Sequence, residues 1–209
     1  MRFTAFPLVA IATVFGVALA GPISERSSGL SCSKEIYKTE NDLGYGNDIT
    51  GYTREALGKH TSQGGQVQLT RLTDGAEKLN VNIRFCNSTH LGISGQTEGF
   101  SYNQKYGGYV SFGKIFLADD ESKCLQRHAT LPSSDPNART HITVEDCSNV
   151  DDATQARQFW YFQTKFGQAQ PITKSSDGQI NTINLALSDT KPQAVLAANN
   201  GQAYQGLLF

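Results

Sequence analysis

Residues 113–162 have the sequence GKIFLADDESKCLQRHATLPSSDPNARTHITVEDCSNVDDATQARQFWYF. Four short segments within them are rich in apolar, β-branched or aromatic residues and are bounded by Asp, Ser, Pro or Asn; these are 113–117, 123–126, 142–147 and 158–162. Segments of this length and composition between turn-forming residues are typical of β-strands. The sequence therefore predicts four consecutive strands.

The order of these segments resembles one repeat of the ricin B-type lectin family. A Cys-Leu pair begins at Cys124, Cys147 ends the third segment, and a Gln-x-Trp motif runs from Gln158 to Trp160. Proteins of that family are β-trefoils, and each of their three repeats tends to carry Gln-x-Trp near its end. The resemblance implies an all-β fold, a β-trefoil of three degenerate repeats, in which Gln158 and Trp160 pack and brace the core. It is closest to small secreted members from fungi.

Weaker copies of the pattern flank this repeat, as expected for a fold built by internal repetition. The segment around Cys86 matches the segment around Cys147, and 183–186 matches 123–126. Leu207 takes the place of the tryptophan in the third copy, which has no cysteine. We place the repeats at 30–105, 106–163 and 164–209.

The first repeat gives further local predictions. Residues 66–70 and 79–85 alternate apolar and polar side chains as half-buried strands do, with Thr73-Asp74-Gly75 as a turn between them. Residues 42–58 show no clean period and are predicted to form a loop. Residues 207–209 are predicted to form a strand that docks beside the first strand of a closed barrel.

Residues 1–20 have the pattern of a secretory signal peptide. Arg2 supplies a positive charge, a long apolar run follows, and Ala18-Leu19-Ala20 is a small-residue cleavage site. A membrane anchor is the alternative, but the apolar run is shorter than the ~20 residues that a spanning helix needs. We therefore expect a secreted, extracellular protein with a leader at 21–29 and one domain at 30–209.

The charge of the chain argues against nucleic acid as a partner. The chain carries 18 basic and 19 acidic residues, and residues 1–20 hold one of the basic residues, so the net charge changes from −1 to about −2 on their removal. Nucleic-acid-binding domains normally show a basic patch or a high isoelectric point. We also expect no membrane partner after signal removal, and the sequence leaves the oligomeric state open.

The four cysteines form an even set that a secreted chain is expected to use as two disulfides. Their spacing alone leaves three pairings open. The resemblance implies that Cys124 pairs with Cys147, and with it that Cys32 pairs with Cys86. A metal site is not expected, because no two cysteines have the close spacing that zinc sites use.

The sugar site of ricin B-type lectins is degenerate in this chain. In the family, an Asp after the Cys-Leu pair, an aromatic residue two before the second cysteine and an Asn next to Gln-x-Trp hold the sugar. The carboxylate accepts hydroxyl hydrogen bonds and the ring covers the apolar face of the sugar. The matching residues here are Gln126, Glu145 and Arg157, and all three depart from the pattern. Arg84 and Ala186 depart from it in the other two repeats.

Two other groups of residues are candidates for carbohydrate binding. The first is a cluster predicted on one side of repeat two; its members are Gln126, His128, His141, Glu145 and Arg157. Its alternative interpretation is an ordinary solvated face with an ion pair. The second is Tyr106 and Tyr109, which flank a Gly-Gly turn signal and offer aromatic platforms. Their alternative role is to cap the barrel.

Catalysis has little support in the sequence. No nucleophile elbow, zinc-protease helix or phosphate-binding loop is present, so we expect a non-enzyme without a cofactor. The acidic residues 119–121 offer carboxylates of the kind that glycosidases use, but they lie at a predicted turn. Asn87-Ser88-Thr89 is a predicted N-glycosylation site.

Two classes of function remain. The first is a non-catalytic lectin-like module that binds extracellular glycans. The second is a secreted trefoil that binds a protein, as a hydrolase inhibitor or an effector. A projecting loop at 129–139 is the feature that the second class would use, and binding to glycans would separate the two.

Overall fold

The computed structural model describes residues 29–34, 37–38, 43–46, 54–96, 101–103, 108–132, 134–163, 167–201 and 205–209. The predicted signal peptide, residues 21–28 of the predicted leader and Tyr106 lie outside these ranges. Within them the chain forms β-strands with one short α-helix, which confirms the prediction of an all-β fold.

The strands are numbered along the chain. Residues 31–87 contain β1 Ser31–Cys32, β2 Tyr37–Lys38, β3 Gly44–Gly46, β4 Glu55–Thr61, β5 Val67–Arg71, a 3₁₀ turn at Leu72–Asp74, β6 Glu77–Lys78 and β7 Val81–Asn87. Residues 101–163 contain β8 Ser101–Asn103, β9 Gly108–Leu117, β10 Lys123–Arg127, β11 Arg139–Asp146, helix α1 Gln155–Gln158 and β12 Trp160–Gln163. Residues 168–208 contain β13 Gln168–Lys174, β14 Ile180–Thr182, β15 Asn184–Leu187, β16 Val195–Ala198 and β17 Gly206–Leu208.

Nine strands close into a barrel by antiparallel pairing. Their order around the barrel is β3, β4, β5, β11, β10, β9, β12, β13, β17 and back to β3. Strand β7 lies outside this ring and pairs with β9, β1 and β2. The predicted strand at 207–209 is therefore docked beside β3, through the pair Leu207 and Tyr45.

Three hairpins, β4–β5, β10–β11 and β15–β16, meet one another. Thr143 of β11 pairs with Gln68 of β5, and β11 also pairs with β16. An isolated bridge joins Thr70 to Ala194, so the first and third hairpins also touch. Each hairpin thus contacts the other two.

Every strand of the three hairpins buries an apolar residue in one shared core; these residues are Leu57, Leu69, Leu125, Ile142, Leu185 and Val195. Trp160 lies in the same core and is completely buried. Its indole Nε1 donates a hydrogen bond to the carbonyl oxygen of Leu125 at 3.0 Å. Burial of a large ring removes apolar area from water, and the bonded N–H avoids the cost of an unpaired donor. Trp160 therefore holds β12 against the second hairpin.

Gly113 stands where β9 is crowded on both sides. It pairs with Phe85 of β7 and with Trp160 of β12. A Cβ atom at this position would lie 2.1 Å from the carbonyl oxygen of Arg84, closer than any real contact allows. Only glycine fits this approach of two backbones.

Lys114 is a buried cation next to this glycine, with 1% of its surface exposed. Its Nζ donates to the carbonyl oxygen of Ser148 at 2.7 Å and to Oε1 of Gln158 at 3.1 Å. Burial lowers the pKa of Lys114 to about 8, although the nearby carboxylates of Asp151 and Asp152 oppose the change. The charged form of Lys114 therefore destabilises the folded chain relative to the neutral form, because burial removes the ammonium group from water.

The segment 158–162 was predicted as one strand, and its first part is different. Gln158 ends helix α1, and β12 begins only at Trp160. Helix α1 is preceded by a turn in which Asp152 Oδ1 accepts hydrogen bonds from the backbone N–H and the hydroxyl of Thr154, the N-cap residue. Gln158 uses its side-chain amide, rather than a strand ladder, to tie the neighbouring loop.

The prediction of a loop at 42–58 is wrong for its described parts. Strands β3 and β4 occupy Gly44–Gly46 and Glu55–Thr61. Glycines on both sides of Tyr45 hide any apolar alternation, and pairing with β17 and β4 makes the strand. Tertiary pairing here overrides local propensity. The turn at Thr73-Asp74-Gly75 is present, with Gly75 at φ 84°.

The structure contains the two predicted disulfides, Cys32 with Cys86 and Cys124 with Cys147. Both pairings are confirmed, and two disulfides indicate an oxidising environment. The one α-helix of the described ranges has four residues, and none of their helices has the length and apolar character of a membrane span.

Candidate functional site

A continuous chain of polar side chains links hairpins β4–β5 and β10–β11. We name it the polar chain; in order, its members are Gln68, Gln66, His128, Glu145, Gln126 and Gln158. Gln68 Nε2 donates to Gln66 Oε1 at 2.8 Å, and Gln66 Nε2 lies 2.7 Å from His128 Nδ1. His128 Nδ1 lies 3.0 Å from Glu145 Oε1. Three of these members were predicted site residues, and the structure brings them into direct contact.

The inner end of the polar chain is closed to solvent. Gln126 and Gln158 are 2% and 3% exposed. Gln126 Nε2 donates to Glu145 Oε2, and Gln126 Oε1 accepts from Gln158 Nε2 at 2.8 Å. Gln158 also donates to the carbonyl oxygen of Asp146 at 2.9 Å and accepts from the backbone N–H of Ser148 at 2.9 Å. The side-chain amide of Gln126 is therefore engaged in hydrogen bonds within the protein.

The outer end is accessible to solvent. The side chains of His128 and Glu145 are 52% and 33% exposed, and Glu145 Oε1 also accepts from Thr143 Oγ1 at 2.6 Å. Nδ1 of His128 faces an amide donor on Gln66 and a carboxylate on Glu145. A single imidazole nitrogen either accepts or donates a hydrogen bond. When Nδ1 carries a proton it donates a hydrogen bond to Glu145 Oε1, and when it carries a lone pair it accepts one from Gln66 Nε2.

The other two predicted members of the cluster lie beside His128. Arg157 Nη1 donates to the carbonyl oxygen of His128 at 2.8 Å. The backbone N–H of His128 donates to the carbonyl oxygen of His141 at 2.9 Å. Burial, and after it the proximity of His128, lower the pKa of His141 from its ordinary value. The five predicted residues thus lie together, with Gln126 inside and His128 at the surface.

Tyr109 is exposed but lies apart from this cluster. Its exposed fraction is 54%, and it pairs with Tyr102 at the start of β9. Phe116, seven residues along the same strand, pairs with Cys124. At about 3.3 Å per residue this places Tyr109 roughly 23 Å from the second hairpin along the strand. The predicted partner platform, Tyr106, lies outside the described residues.

The predicted glycosylation site lies at the end of β7. Asn87 is half-buried, its Oδ1 accepts from the backbone N–H of Gln96 at 2.8 Å, and its Nδ2 lies 3.4 Å from Ser31 Oγ. Ser88 is fully buried and donates to Asp151 Oδ1 at 2.5 Å. Glycosylation at Asn87 stays a prediction.

The acidic residues 119–121 each have their own partner. Asp119 Oδ2 lies 3.7 Å from Lys59 Nζ, and Glu121 Oε2 lies 2.6 Å from Arg84 Nη2. Asp120 Oδ1 accepts from the N–H and the hydroxyl of Ser122 at 3.0 and 2.6 Å. Asp119 and Asp120 line a surface cleft of about 640 Å³. The first carboxylate lies near a lysine and the second accepts hydrogen bonds from a serine, as described above.

A second cleft, of about 490 Å³, is a site that sequence reasoning missed. It is lined by residues from all three of the predicted repeats: Tyr45, Glu55, Arg139, Ala186, Leu187, Asp189, Asn200, Gly201 and Gln205. We name it the inter-repeat cleft. Tyr45 and Glu55 belong to the segment predicted as a loop, so nothing suggested that they would face the third hairpin. The signal available was Tyr45 between two glycines, an isolated aromatic residue among small ones.

Charge pairs surround the inter-repeat cleft. Glu55 Oε2 lies 2.8 Å from Arg71 Nε, and Arg71 Nη1 donates to Gln193 Oε1 at 2.6 Å. Arg139 Nη1 and Asp189 Oδ2 are 4.0 Å apart at the exposed rim. Burial, and after it the carboxylate of Glu55, raise the pKa of Tyr45 to about 12. Its hydroxyl therefore stays protonated and able to donate.

The part of the chain that the structure describes contains no group of three or more His, Cys, Asp or Glu side chains placed to hold a metal ion. No protein-family model, curated protein or solved structure matches the chain. Its function is therefore inferred from the arrangement of its own residues.

Proposed function

We propose that the chain is a secreted, non-catalytic carbohydrate-binding module with a β-trefoil fold similar to that of ricin B-type lectins. Three mutually contacting hairpins on a closed barrel support the trefoil. The contacts of Gln158 and Trp160, which tie β12 to the second hairpin, support the likeness to the family's Gln-x-Trp repeats. The pattern of residues 1–20 and the two disulfides support secretion.

The outer half of the polar chain is the observation that carries carbohydrate binding. Gln66, His128 and Glu145 present an amide, an imidazole and a carboxylate within hydrogen-bond distance of one another. Such groups, held in place by their neighbours, exchange hydrogen bonds with adjacent sugar hydroxyls at low cost in ordering. Gln126 is engaged internally and Glu145 provides no ring, so we expect a Kd of about 1 mM or weaker, or about 4 kcal/mol.

Calorimetry with galactose and N-acetylgalactosamine tests this proposal. We expect wild-type binding to be lost in His128→Ala and Glu145→Gln and kept in His90→Ala, the control at an exposed histidine outside the polar chain. The double change Gln126→Asp with Glu145→Trp restores two of the three residues that hold the sugar in ricin B-type lectins and should strengthen binding. Equal binding by wild type, His128→Ala and Glu145→Gln would contradict the assignment of the site.

A second candidate function, binding to a secreted protein, is favoured by the loop between β10 and β11. Asn199 Nδ2 donates to the carbonyl oxygens of Pro132 and Asp135 at 2.9 and 2.8 Å, and Leu131 is buried beneath them. Asn137 N donates to Asp135 Oδ1 at 2.8 Å. A loop held in one conformation loses little entropy on binding, which suits insertion into a partner's cleft.

Inhibition assays with secreted endopeptidases and glycoside hydrolases test this alternative. If the loop inhibits one of them, Asn199→Ala should weaken inhibition at least about tenfold, or about 1.4 kcal/mol, because it releases two carbonyl contacts. Asn149→Ala, at another exposed asparagine, is the matched control. Glycan binding without inhibition of any tested hydrolase would favour the first function.

A further inference from the structure

One ring nitrogen of His128 lies within hydrogen-bond distance of two partners from different hairpins. Gln66 Nε2, next to β5, lies 2.7 Å from His128 Nδ1, and Glu145 Oε1 of β11 lies 3.0 Å from the same nitrogen. An amide N–H only donates a hydrogen bond, and an ionised carboxylate only accepts one. Nδ1 therefore satisfies one of its two partners at a time.

Both partners of the imidazole are held by neighbours within their own hairpins. Gln66 Oε1 accepts from Gln68 Nε2 at 2.8 Å, which directs Gln66 Nε2 to His128. Glu145 Oε1 also accepts from the hydroxyl of Thr143 at 2.6 Å. The two partners thus stay in place, and the hydrogen bond of Nδ1 is the contact that depends on the charge of the ring.

The titratable and charged side chains around the outer end of the polar chain come from β4, β11 and α1; these are His60, opposite Gln68 in β4, and His141, Glu145 and Arg157. The carboxylate of Glu145 contacts the ring of His128 and favours its charged form. Arg157 donates to the carbonyl oxygen of His128 at 2.8 Å, and its positive charge opposes a second one on the ring. An imidazole ordinarily changes its charge between pH 5 and 8. Acidification in this range therefore changes the partner of Nδ1.

We propose that His128 is a pH-dependent switch that links hairpins β4–β5 and β10–β11 in its neutral form and uncouples their outer ends when it is protonated. In the neutral form, Nδ1 keeps its lone pair and accepts from Gln66. In the charged form, Nδ1–H donates to Glu145, and the amide N–H of Gln66 faces another N–H and loses its acceptor. The backbone pair between Gln68 and the buried Thr143 contains no titrating group, so the barrel stays closed in both forms.

The switch also changes the groups that the outer end presents to solvent. Protonated His128 occupies Glu145 Oε1 and leaves the amide of Gln66 free, whereas neutral His128 occupies the amide and leaves the carboxylate. The exchange itself needs no ligand. Only its effect on carbohydrate binding, a weaker affinity near pH 5 than near pH 8, rests on the proposed function.

Nitrogen chemical shifts of the imidazole and of the glutamine side-chain amides test the switch in the ligand-free protein. At pH 8 we expect the His128 tautomer with its proton on Nε2, and a through-hydrogen-bond coupling between Gln66 Nε2 and His128 Nδ1. At pH 5 we expect both ring nitrogens to be protonated, the coupling to be lost, and the Gln66 amide to shift towards the value of a solvent-exposed glutamine.

Two variants assign this response to His128. His128→Asn, at an exposed position, removes the titrating ring, so the Gln66 amide should have the same shift at both pH values. His90→Ala, at another exposed histidine, is the matched control and should respond as wild type does.

A proton on Nδ1 at pH 8 would overturn the inference, because Glu145 would then be the partner of His128 in both charge states. A Gln66 amide that does not move in wild type, or that moves equally in His128→Asn, would contradict it as well. These results involve no ligand and leave the proposed function to its own calorimetric test. Observation of the exchange without any binding of galactose or N-acetylgalactosamine would support the switch and overturn the proposed function alone.

Discussion

The second and third hairpins share a backbone arrangement and are closed by different chemistry. In β10–β11, Cys124 forms a disulfide with Cys147. In β15–β16, Asn184 stands at the slot of Cys124, and its Nδ2 donates to the carbonyl oxygen of Gly201 at 3.3 Å. The strand pairing is the same in both hairpins, so the backbone ladder sets the hairpin and the closing group adds stability.

The residues beneath the two hairpins differ in size. Trp160 of β12 supports the second hairpin and donates to its backbone, whereas Leu207 of β17 stands at the matching place for the third. Both residues are fully buried. The third hairpin itself buries two small residues of β16, Ala197 and Ala198. One hairpin thus rests on a large ring whose N–H is bonded to it, and the other rests on a leucine and contributes small side chains of its own.

Truncation of Trp160 and of Leu207 should have the largest effects on the free energy of unfolding, and the effects should differ between the two hairpins. We expect Trp160→Ala to lower the free energy of unfolding by about 3–5 kcal/mol, through the cavity and the loss of a partner for Leu125. Leu207→Ala should cost about 2–4 kcal/mol. Urea unfolding followed by circular dichroism measures both. A smaller loss for Trp160→Ala than for Leu207→Ala would contradict the proposed difference.

Removal of the covalent closure should have the next largest effect. The double change Cys124→Ala with Cys147→Ala opens a loop with a sequence separation of 23 residues, and the chain-entropy model gives a cost of about 3 kcal/mol. Barrel pairing should persist, because the third hairpin forms without a disulfide. Calorimetric unfolding of the variant, compared with wild type, measures the loss. An unfolded variant at room temperature would show that the disulfide, and not the ladder, sets this hairpin.

The buried lysine of the second repeat should make stability depend on pH. Burial lowers the pKa of Lys114 from 10.5 to about 8. The penalty for the charged form is therefore complete below pH 8 and is relieved between pH 8 and 10.5, where the unfolded chain binds more protons. We expect the free energy of unfolding to rise by about 2 kcal/mol between pH 7.5 and 9.5.

Urea unfolding of wild type and Lys114→Met at the two pH values measures this rise. The methionine fills a similar volume and does not titrate, so its rise should be smaller by the contribution of Lys114. The interval ends below the ordinary pKa of tyrosine, so Tyr45 adds little. An equal rise in both proteins would mean that other groups cause it.

The hydrogen bond that closes the third hairpin should contribute least. Asn184→Ala removes the contact to Gly201 and an amide contact from Gln170 at 3.3 Å. We expect a loss of about 1 kcal/mol, because a net intramolecular hydrogen bond is worth about that much. Thermal unfolding beside Asn181→Ala, the exposed control, measures it. A loss as large as that of the disulfide variant would remove the contrast between the hairpins.

The sequence predicted the structure best where nearby residues determine the local fold. The strands of residues 113–147 follow from apolar segments and turn residues, and both disulfide pairings were implied by the family resemblance. Strand β3 could not be predicted, since Gly44-Tyr45-Gly46 becomes a strand only through β4 and β17. Helix α1 was not predicted, because Gln158 was assigned to the following strand. In the structure Gln158 ends the helix, and its side-chain amide bonds to the backbone of the neighbouring loop.

The residues of the candidate site also fall into predicted and unpredicted groups. The cluster around His128 was predicted; four of its five members follow each other along one hairpin, and Arg157 lies in α1. Gln66 was missed as a member of the polar chain, since its contact with His128 crosses from one hairpin to another. The inter-repeat cleft is formed by segments that are distant from one another along the chain.

The barrel closes between β17 and β3, whose paired residues Leu207 and Tyr45 are far apart along the chain. A ribosome delivers β3 long before β17, so the ring stays open for most of synthesis. Pairing of such distant segments costs loop-closure entropy before it gives contacts, which makes folding slow. The two disulfides, with sequence separations of 54 and 23 residues, span segments that emerge earlier. Oxidation is therefore expected to precede closure of the barrel and to shorten the search that ends with β17.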